Sequence, residues 1–172
     1  MPTLVVMAGL PASGKSSIAR QLARQMDAAW LRIDSMDQAI WASGDAPTDL
    51  RDWTYRAAQA VALDNLGLGH DVVGDCVNDS REARDGWAQI GRRSGATVLW
   101  LEVVCSDREK HRRRVETRTS DIPGLALPDW DAVIKRNYDT WEWDRLTIDT
   151  AHRSLEECVD IVLAALAAKL PP

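Results

Sequence analysis

The sequence contains no phenylalanine and only two tyrosines, so eight tryptophans supply most of its aromatic side chains. We expect most of these rings to fill the core or a lid rather than to stack on bases. Cysteine is also scarce, and Cys76, Cys105 and Cys158 are far apart without the CxxC spacing of zinc sites. This pattern argues against a disulfide framework or a zinc site and predicts buried free thiols.

Long apolar runs are missing as well. No stretch approaches the length of a membrane-spanning helix, and the short apolar segment 1–8 has no basic leader, so we expect a cytoplasmic protein without membrane attachment. Positive charge is in the minority, with 21 Lys and Arg against 26 Asp and Glu and a net charge of -5. This balance gives no overall attraction to nucleic acid and favours small-molecule partners.

The 172 residues are enough for one domain, 1–172, with one site, while monomer and homodimer both remain open. Hydrophobic periodicity predicts five strands and seven intervening or flanking helices. The strands cover 3–8, 29–33, 72–75, 96–104 and 145–149. The helices cover 15–26, 35–41, about 49–66 with a cap at Thr48 or Asp49, 80–94, a segment starting near 106, 129 to about 138, and 154–170.

Such alternation predicts an α/β fold with three layers, in which helices cover both faces of a five-stranded, mainly parallel sheet. Breaks are expected at 43–47 and at 122–128, where Gly and Pro interrupt the helical patterns. Ligands of such sheets bind at the carboxyl ends of the strands. The chemistry-bearing residues are therefore sought directly after each predicted strand.

The first strand runs into the segment GLPASGKS, Gly9 to Ser16, which has the spacing of a phosphate-binding loop between a strand and a helix. Its backbone N–H groups and the helix N-terminus attract phosphate, and larger residues at the glycines would obstruct the wrap. Lys15 is expected to follow the β- and γ-phosphates, and Ser16 to hold Mg²⁺. The predicted nucleotide contacts are Gly9, Ala12, Ser13, Gly14, Lys15, Ser16 and Ser17.

Carboxylates stand at the carboxyl ends of the second and third predicted strands. Asp34 is placed to orient an acceptor hydroxyl and accept its proton, although it could instead cap the helix that follows. Asp37, one turn further on, is the competing carboxylate. Asp75 is expected to reach the metal directly or through water, and Asn78 and Asp79 could serve the acceptor or cap the next helix.

A basic run, 108–118, opposes the acidic average of the chain. Such a run is commonly a solvated helix face. Arg114 and Arg118 nevertheless share one face, and both are expected beside the nucleotide, where they would clamp the triphosphate as a lid over about 108–128 closes. The segment 149–153 follows the last strand and could border the adenine, with His152 as an exposed loop residue.

Taken together, the segments GLPASGKS, VVGDCVNDSREAR, the arginine run followed by IPG, PDWDAVIKRNYDTW and LTIDTAHRSLEE resemble P-loop kinases of the nucleoside-monophosphate-kinase-like superfamily, especially small AAA-type kinases. The resemblance covers nearly the whole chain. It implies a P-loop NTPase fold with a five-stranded parallel core and a helical, arginine-bearing lid. It also implies ATP and Mg²⁺, with phosphoryl transfer to a hydroxyl.

Two related families narrow the acceptor. Polynucleotide 5′-kinases typically carry an arginine three residues after the catalytic aspartate, whereas this sequence has Asp37 there, which would repel an acceptor phosphate. Chloramphenicol phosphotransferase is similar in running a Trp-containing strand into Asp-Ser, as in Trp30 to Ser35, and uses that aspartate as the base. This resemblance favours Asp34 as base and a small alcohol as acceptor.

Three functions follow from the sequence. The first is an ATP-dependent phosphotransferase acting on a small-molecule hydroxyl, with Lys15, Asp34, Arg114 and Arg118 as catalytic residues. The second is a nucleotide-dependent switch or binding module that has no acceptor. The third is a polynucleotide 5′-hydroxyl kinase, which the acidic charge and Asp37 disfavour.

Overall fold

The computed structural model describes residues 1–44 and 50–169. The strands are β1 (Thr3–Ala8), β2 (Ala29–Arg32), β3 (Val72–Asp75), β4 (Thr97–Val104) and β5 (Leu146–Asp149). The helices are α1 (Lys15–Met26), α2 (Ile33–Ala42), α3 (Arg51–Gly67), α4 (Arg81–Ser94), α5 (Arg108–Thr117), α6 (Trp130–Ile134) and α7 (Leu155–Lys169). No helix within these described ranges is long and apolar enough to cross a membrane.

The five strands form one sheet in the order β2-β3-β1-β4-β5. Every pairing in it is parallel. The predicted mainly parallel sheet is thus confirmed and is entirely parallel over the described residues. All five carboxyl ends lie at the same edge, which brings the residues that follow them together.

Helices cover both faces of the sheet, and the central strand β1 is therefore buried on both sides. Val5 and Met7 pack in a core with α1 and α7, whereas Leu4 and Val6 pack in a second core with α3 and α4. This alternation along β1 follows from the two-residue period of a strand. The predicted three layers are confirmed.

Helix α4 is held against the sheet by the fully buried Trp87. The ring lies over Gly74 of β3, where an added Cβ would be 3.0 Å from it. Ile90 is buried on the same face. Cys76, Cys105 and Cys158 are free and buried, which confirms that prediction as well.

Two predictions were wrong, the position of Asp34 at a strand end and the carboxyl end of the helix that starts near residue 129. Strand β2 ends at Arg32 and α2 begins at Ile33, so Asp34 lies in the first turn of a helix and not at the end of a strand. Helix α6 ends at Ile134 instead of near Tyr138. The chain leaves the helix because the Tyr138 ring packs on the Arg84 guanidinium and the Asp139 N–H donates to the Asp79 carbonyl.

The other boundaries agree within two residues. Ser80 caps α4 and Asp107 caps α5 through side-chain bonds to backbone N–H groups, as expected of such residues. The proposed cap at Thr48 or Asp49, most of the break at 43–47, and Leu170 lie outside the described residues. Within the predicted lid, α5 is helical to Thr117 and residues 118–128 are irregular.

Gly9, directly after β1, has no room for a side chain. Its φ is +132°, and an added Cβ would lie 2.1 Å from the Val103 carbonyl oxygen of β4. A Gly9→Ala variant should therefore lower the free energy of unfolding in urea by about 3 kcal/mol or more.

The matched control is Gly95→Ala, because Gly95 also has a positive φ of +66° but open space around its Cα. Backbone strain alone should cost that variant about 1 kcal/mol. Equal losses in the two variants would show that the contact with β4 is unimportant.

Candidate nucleotide-binding and phosphotransfer site

A cleft of about 920 Å³ opens at the carboxyl edge of the sheet. It is bounded by the loop after β1, the start of α2, the end of β3 and the segment 118–128. The predicted site residues that line it are Ala12, Gly14, Lys15, Ser16, Ser17, Asp34, Asp37, Asp75, Asp79, Arg114 and Arg118. The fold therefore brings most of the candidate residues into one site.

The loop between β1 and α1 has the shape of an anion cradle. Ala12 and Gly14 adopt positive φ values of 63° and 106°, and Gly14 precedes α1 without any side-chain cap. The first N–H groups of α1 consequently have no partner within the helix. The Ser13 hydroxyl is also buried without a hydrogen-bond partner. These unused donors fit a phosphate group.

Lys15 is buried at the start of α1, and its Nζ donates to the Leu10 carbonyl oxygen at 3.0 Å. Burial lowers the pKa of this ammonium, and the negative charges of Asp75 and Asp34 oppose that effect. The like charge of Arg118 lowers the pKa further. Lys15 is thus a poorly solvated cation that an additional anionic group would stabilise.

Ser16 and Asp75 lie together beside the loop. Asp75 is buried and accepts hydrogen bonds from Ser16 and from the Trp30 indole, the latter at 3.2 Å. Burial raises the pKa of the Asp75 carboxyl, while Lys15 and Ser16 counter the shift. A hydroxyl and a carboxylate oxygen side by side fit Mg²⁺, which prefers few protein oxygens together with phosphate oxygens. The described residues contain no cluster of three or more His, Cys, Asp or Glu side chains suited to a metal.

Asp34 lies in the first turn of α2 and Asp37 one residue beyond that turn, and both line the cleft. Asp34 is exposed, and its charge acts on Lys15, Arg32 and Arg118. Asp37 is half-buried, and burial raises its pKa. A hydrogen bond from Thr54 opposes this shift, and the charge of Asp34 adds to it. Of the two carboxylates, Asp34 is the one whose charge acts on Lys15.

The two lid arginines differ in their surroundings. Arg114 is held by Thr150, donating to its hydroxyl at 2.7 Å and to its carbonyl oxygen at 2.9 Å. Arg118 is half-buried, and its Nε has no hydrogen-bond partner. Burial lowers the pKa of Arg118, and the charge of Asp34 opposes this. Arg118 is therefore the one available to an added anion beside Lys15.

Thr150, after β5, ties this side of the cleft together. Its hydroxyl lies 2.8 Å from the Ser13 carbonyl oxygen, to which it donates, and 3.1 Å from that of Val104. In the same segment the Lys110 ammonium donates to the Ala151 carbonyl oxygen, and His152 is exposed as predicted. The contacts of Thr150 were not foreseen from the sequence, which pointed to this segment only as a border of the adenine.

Two arginines of the cleft were also missed. Arg32 donates two hydrogen bonds to Asp121, at 2.9 and 3.1 Å, and Arg136 donates to Asp79 at 2.5 Å. Arg32 lies two residues after Trp30 in β2. Since side chains two residues apart in a strand point to the same face, the sequence could have placed these two together. The partner of Arg136 is 57 residues away in the chain, and no local pattern indicates it.

Comparisons with known proteins agree with this geometry. Residues 4–136 match the family described as an AAA domain. The chain belongs to this family. The match confirms the resemblance to P-loop kinase-like proteins that the motifs indicated.

Among curated proteins, this AAA domain is 28% identical over 131 residues to 6-phosphofructo-2-kinase/fructose-2,6-bisphosphatase 4 of Rattus norvegicus. The match covers 63% of the chain but only 27% of the rat enzyme, so the chain spans about a quarter of the length of that relative.

Among solved structures, the APS kinase CysC of Mycobacterium tuberculosis in complex with AMPPNP and APS is similar with a TM-score of 0.72, 19% identity, and coverage of 96% of this chain and 98% of that one. Kti12 of Chaetomium thermophilum in complex with ADP-AlF3 is similar with a TM-score of 0.71, 20% identity, and coverage of 98% and 100%. These likenesses confirm the fold.

A Thr150→Val variant should test the role of the threonine hydroxyl. The substitution keeps the shape but leaves the Ser13 carbonyl and one N–H of Arg114 without their partner, so the free energy of unfolding should fall by about 1–3 kcal/mol. The control Thr147→Val changes an exposed residue on β5, the strand that precedes Thr150, and should have little effect. Equal stability of the two variants in urea unfolding would contradict the assignment.

Proposed function

We propose that the protein is an ATP-dependent phosphotransferase that moves the γ-phosphoryl group of Mg-ATP to a hydroxyl group of a small molecule. The observation that carries this proposal is the cleft itself, in which unused loop donors, Lys15 and Arg118 face the exposed carboxylate of Asp34. Such a site offers charge stabilisation on one side and a proton acceptor on the other. The bound AMPPNP and APS of the similar CysC structure support an ATP donor and a separate acceptor.

The nucleotide half of the cleft would bind the donor through its backbone. The N–H groups at the start of α1 and the Ser13 hydroxyl would donate to the phosphates, and Lys15 would exchange its bond to the Leu10 carbonyl for a γ-phosphate oxygen. Ser16 and Asp75 would hold Mg²⁺, directly or through water. When bound, the metal would neutralise charge on the β- and γ-phosphates.

The acceptor half would supply the proton transfer. Asp34 would orient the acceptor hydroxyl and accept its proton as the oxygen bonds to phosphorus and the bond to the β-phosphate oxygen breaks. Arg118 would stabilise charge on the transferred group, and Arg114 would support the lid from Thr150. A lid over 108–128 would exclude water from the reaction. The use of ATP as donor is consistent with a cytoplasmic location.

A polynucleotide acceptor receives less support. Asp34 and Asp37 both face the cleft, and no described residue forms an ion pair with either of them. Two unneutralised carboxylates oppose the approach of a nucleic-acid phosphate.

A nucleotide-dependent module without an acceptor is tested by ADP release, since such a module would release ADP at the same rate with and without added alcohols.

A Lys15→Ala variant should bind the nucleotide about 100-fold or more weakly, because it loses a charge-assisted contact to phosphate that is made at a buried position. Calorimetric titration with AMPPNP measures this loss. Arg24→Ala, an exposed change on the same helix, is the control and should bind like the unmodified protein. Unchanged binding by Lys15→Ala would remove the assignment of the loop.

An Asp34→Asn variant should bind AMPPNP normally but transfer phosphate about 100-fold or more slowly, because the amide cannot accept the proton. The comparison is Asp37→Asn, in which kcat should fall much less. A larger fall in kcat for Asp37→Asn would identify Asp37 as the base instead.

A further inference from the structure

The charges of the cleft are segregated. Three of its five arginines already have a carboxylate partner. Arg32 and Arg20 contact Asp121, the latter at 4.0 Å, and Arg136 contacts Asp79. The cations left over, Lys15, Arg114 and Arg118, surround the phosphate-binding loop. Asp34 and Asp37, left over on α2, face the remaining space. The acceptor half therefore carries negative charge and disfavours an anionic acceptor.

Within the acceptor half, Asp79 and Arg136 form a built pair of polar groups. The Arg136 Nε donates to the Asp79 Oδ2 at 2.5 Å, with side-chain exposures of 33% and 16%. No other hydrogen bond joins either side chain to a described residue. The second Asp79 oxygen and the terminal N–H groups of Arg136 thus have no hydrogen-bond partner among the described residues.

The pair is mounted rigidly. Arg84 is almost fully buried and donates hydrogen bonds to the carbonyl oxygens of Asn78, Asp79, Asp139 and Thr140, at 2.8 to 3.3 Å. Its guanidinium also stacks on the Trp141 ring, 4.2 Å from the centroid. One buried side chain therefore joins the segment of Asp79 to the segment that follows Arg136, and little freedom remains to be lost when a ligand binds.

Aromatic surface lies around the same space. Trp41 and Tyr55 line the cleft, and the Tyr55 hydroxyl accepts the backbone N–H of Asn78 at 3.2 Å. Burial raises the pKa of Tyr55 well above its usual value, and the charges of Asp79 and Arg136 also act on it. The phenol is therefore neutral and adjacent to the pair, where it can donate a hydrogen bond or pack against carbon.

Resting on the proposed phosphotransferase function, we infer that Asp79 and Arg136 form a recognition site for two neighbouring hydroxyls of an uncharged, polyhydroxylated acceptor such as a sugar or cyclitol. The free Asp79 oxygen accepts from one hydroxyl, and the Arg136 N–H groups donate to the oxygen of the next. The aromatic rings pack against the C–H face of the acceptor. A third hydroxyl meets Asp34 and receives the phosphoryl group.

The acceptor class is tested by ADP release from Mg-ATP with the full chain. The neutral probes are D-ribose, D-glucose, D-fructose and myo-inositol. The contrasting probes are D-glucose 6-phosphate and D-gluconate, which are anionic, and chloramphenicol, whose two aliphatic hydroxyls are not vicinal. At least one neutral polyol should react with a kcat/KM about 100-fold above that of the anionic probes, because the carboxylates Asp34 and Asp37 repel an anionic acceptor.

Turnover of an anionic probe or of chloramphenicol in preference to every neutral polyol would overturn the acceptor class while leaving the phosphotransferase function intact. Failure of all neutral polyols also overturns it. Failure of every probe together with absent AMPPNP binding would count against the proposed function itself.

The role of Arg136 is tested by Arg136→Lys, which keeps the positive charge beside Asp79 but removes the planar fork. The KM for the reactive polyol should rise about 10-fold, the value of one hydrogen bond to a charged group, while kcat and the KM for ATP stay within about twofold. Lys135→Gln is the matched control, since Lys135 is the exposed neighbour that pairs with Asp131 outside the cleft.

If Arg136 had a purely structural role, Arg136→Lys would lower the urea midpoint and raise the KM for ATP together with the KM for the polyol. That result, or an unchanged KM for the polyol, would overturn the assignment of the pair.

Discussion

The shape of the phosphate-binding loop depends on how closely Gly9 passes the neighbouring strands. Its Cα lies against the Val103 carbonyl of β4, and its N–H donates to the Val77 carbonyl beyond β3 at 3.0 Å. At the far end of the loop, Thr150 beyond β5 holds the Ser13 carbonyl. Three neighbouring strands therefore set the loop conformation, and the binding donors are aligned only when the parallel sheet has formed.

Around this loop the cleft separates two electrostatic environments. Ion pairs such as Arg32 with Asp121 neutralise charge on its walls, so the unpaired groups decide what can enter. Unpaired cations lie beside the loop, and unpaired carboxylates lie on α2. Since the interaction of charges strengthens when water is excluded, closing the cleft would sharpen this division between an anionic donor and an uncharged acceptor.

Tryptophan takes part in this architecture as a hydrogen-bond donor as well as a core residue. The Trp30 indole donates to Asp75, and the Trp141 indole donates to Glu102 at 2.9 Å. Trp141 also stacks on Arg84, which donates to the backbone carbonyl oxygens of Asp79 and Asp139. Phenylalanine could supply the packing but neither the N–H group nor the larger face for the cation. At these positions tryptophan therefore does what phenylalanine, which the sequence lacks, could not do.

The sequence by itself determined the strand order along the chain, the parallel α/β fold and the loop from Gly9 to Ser16, because strand and helix periods and a contiguous motif are local properties. It also indicated Asp34 and Asp75 as candidates, since each stands at the end of a predicted strand. In the structure Asp75 is the last residue of β3, whereas β2 ends early at Arg32 and Asp34 lies in α2. Only the tertiary structure decided which arginines are free, that Thr150 anchors the loop, and that Asp79 pairs with Arg136 over Arg84. Those contacts join residues tens of positions apart, and long-range pairing of side chains leaves no periodic signal in a single sequence.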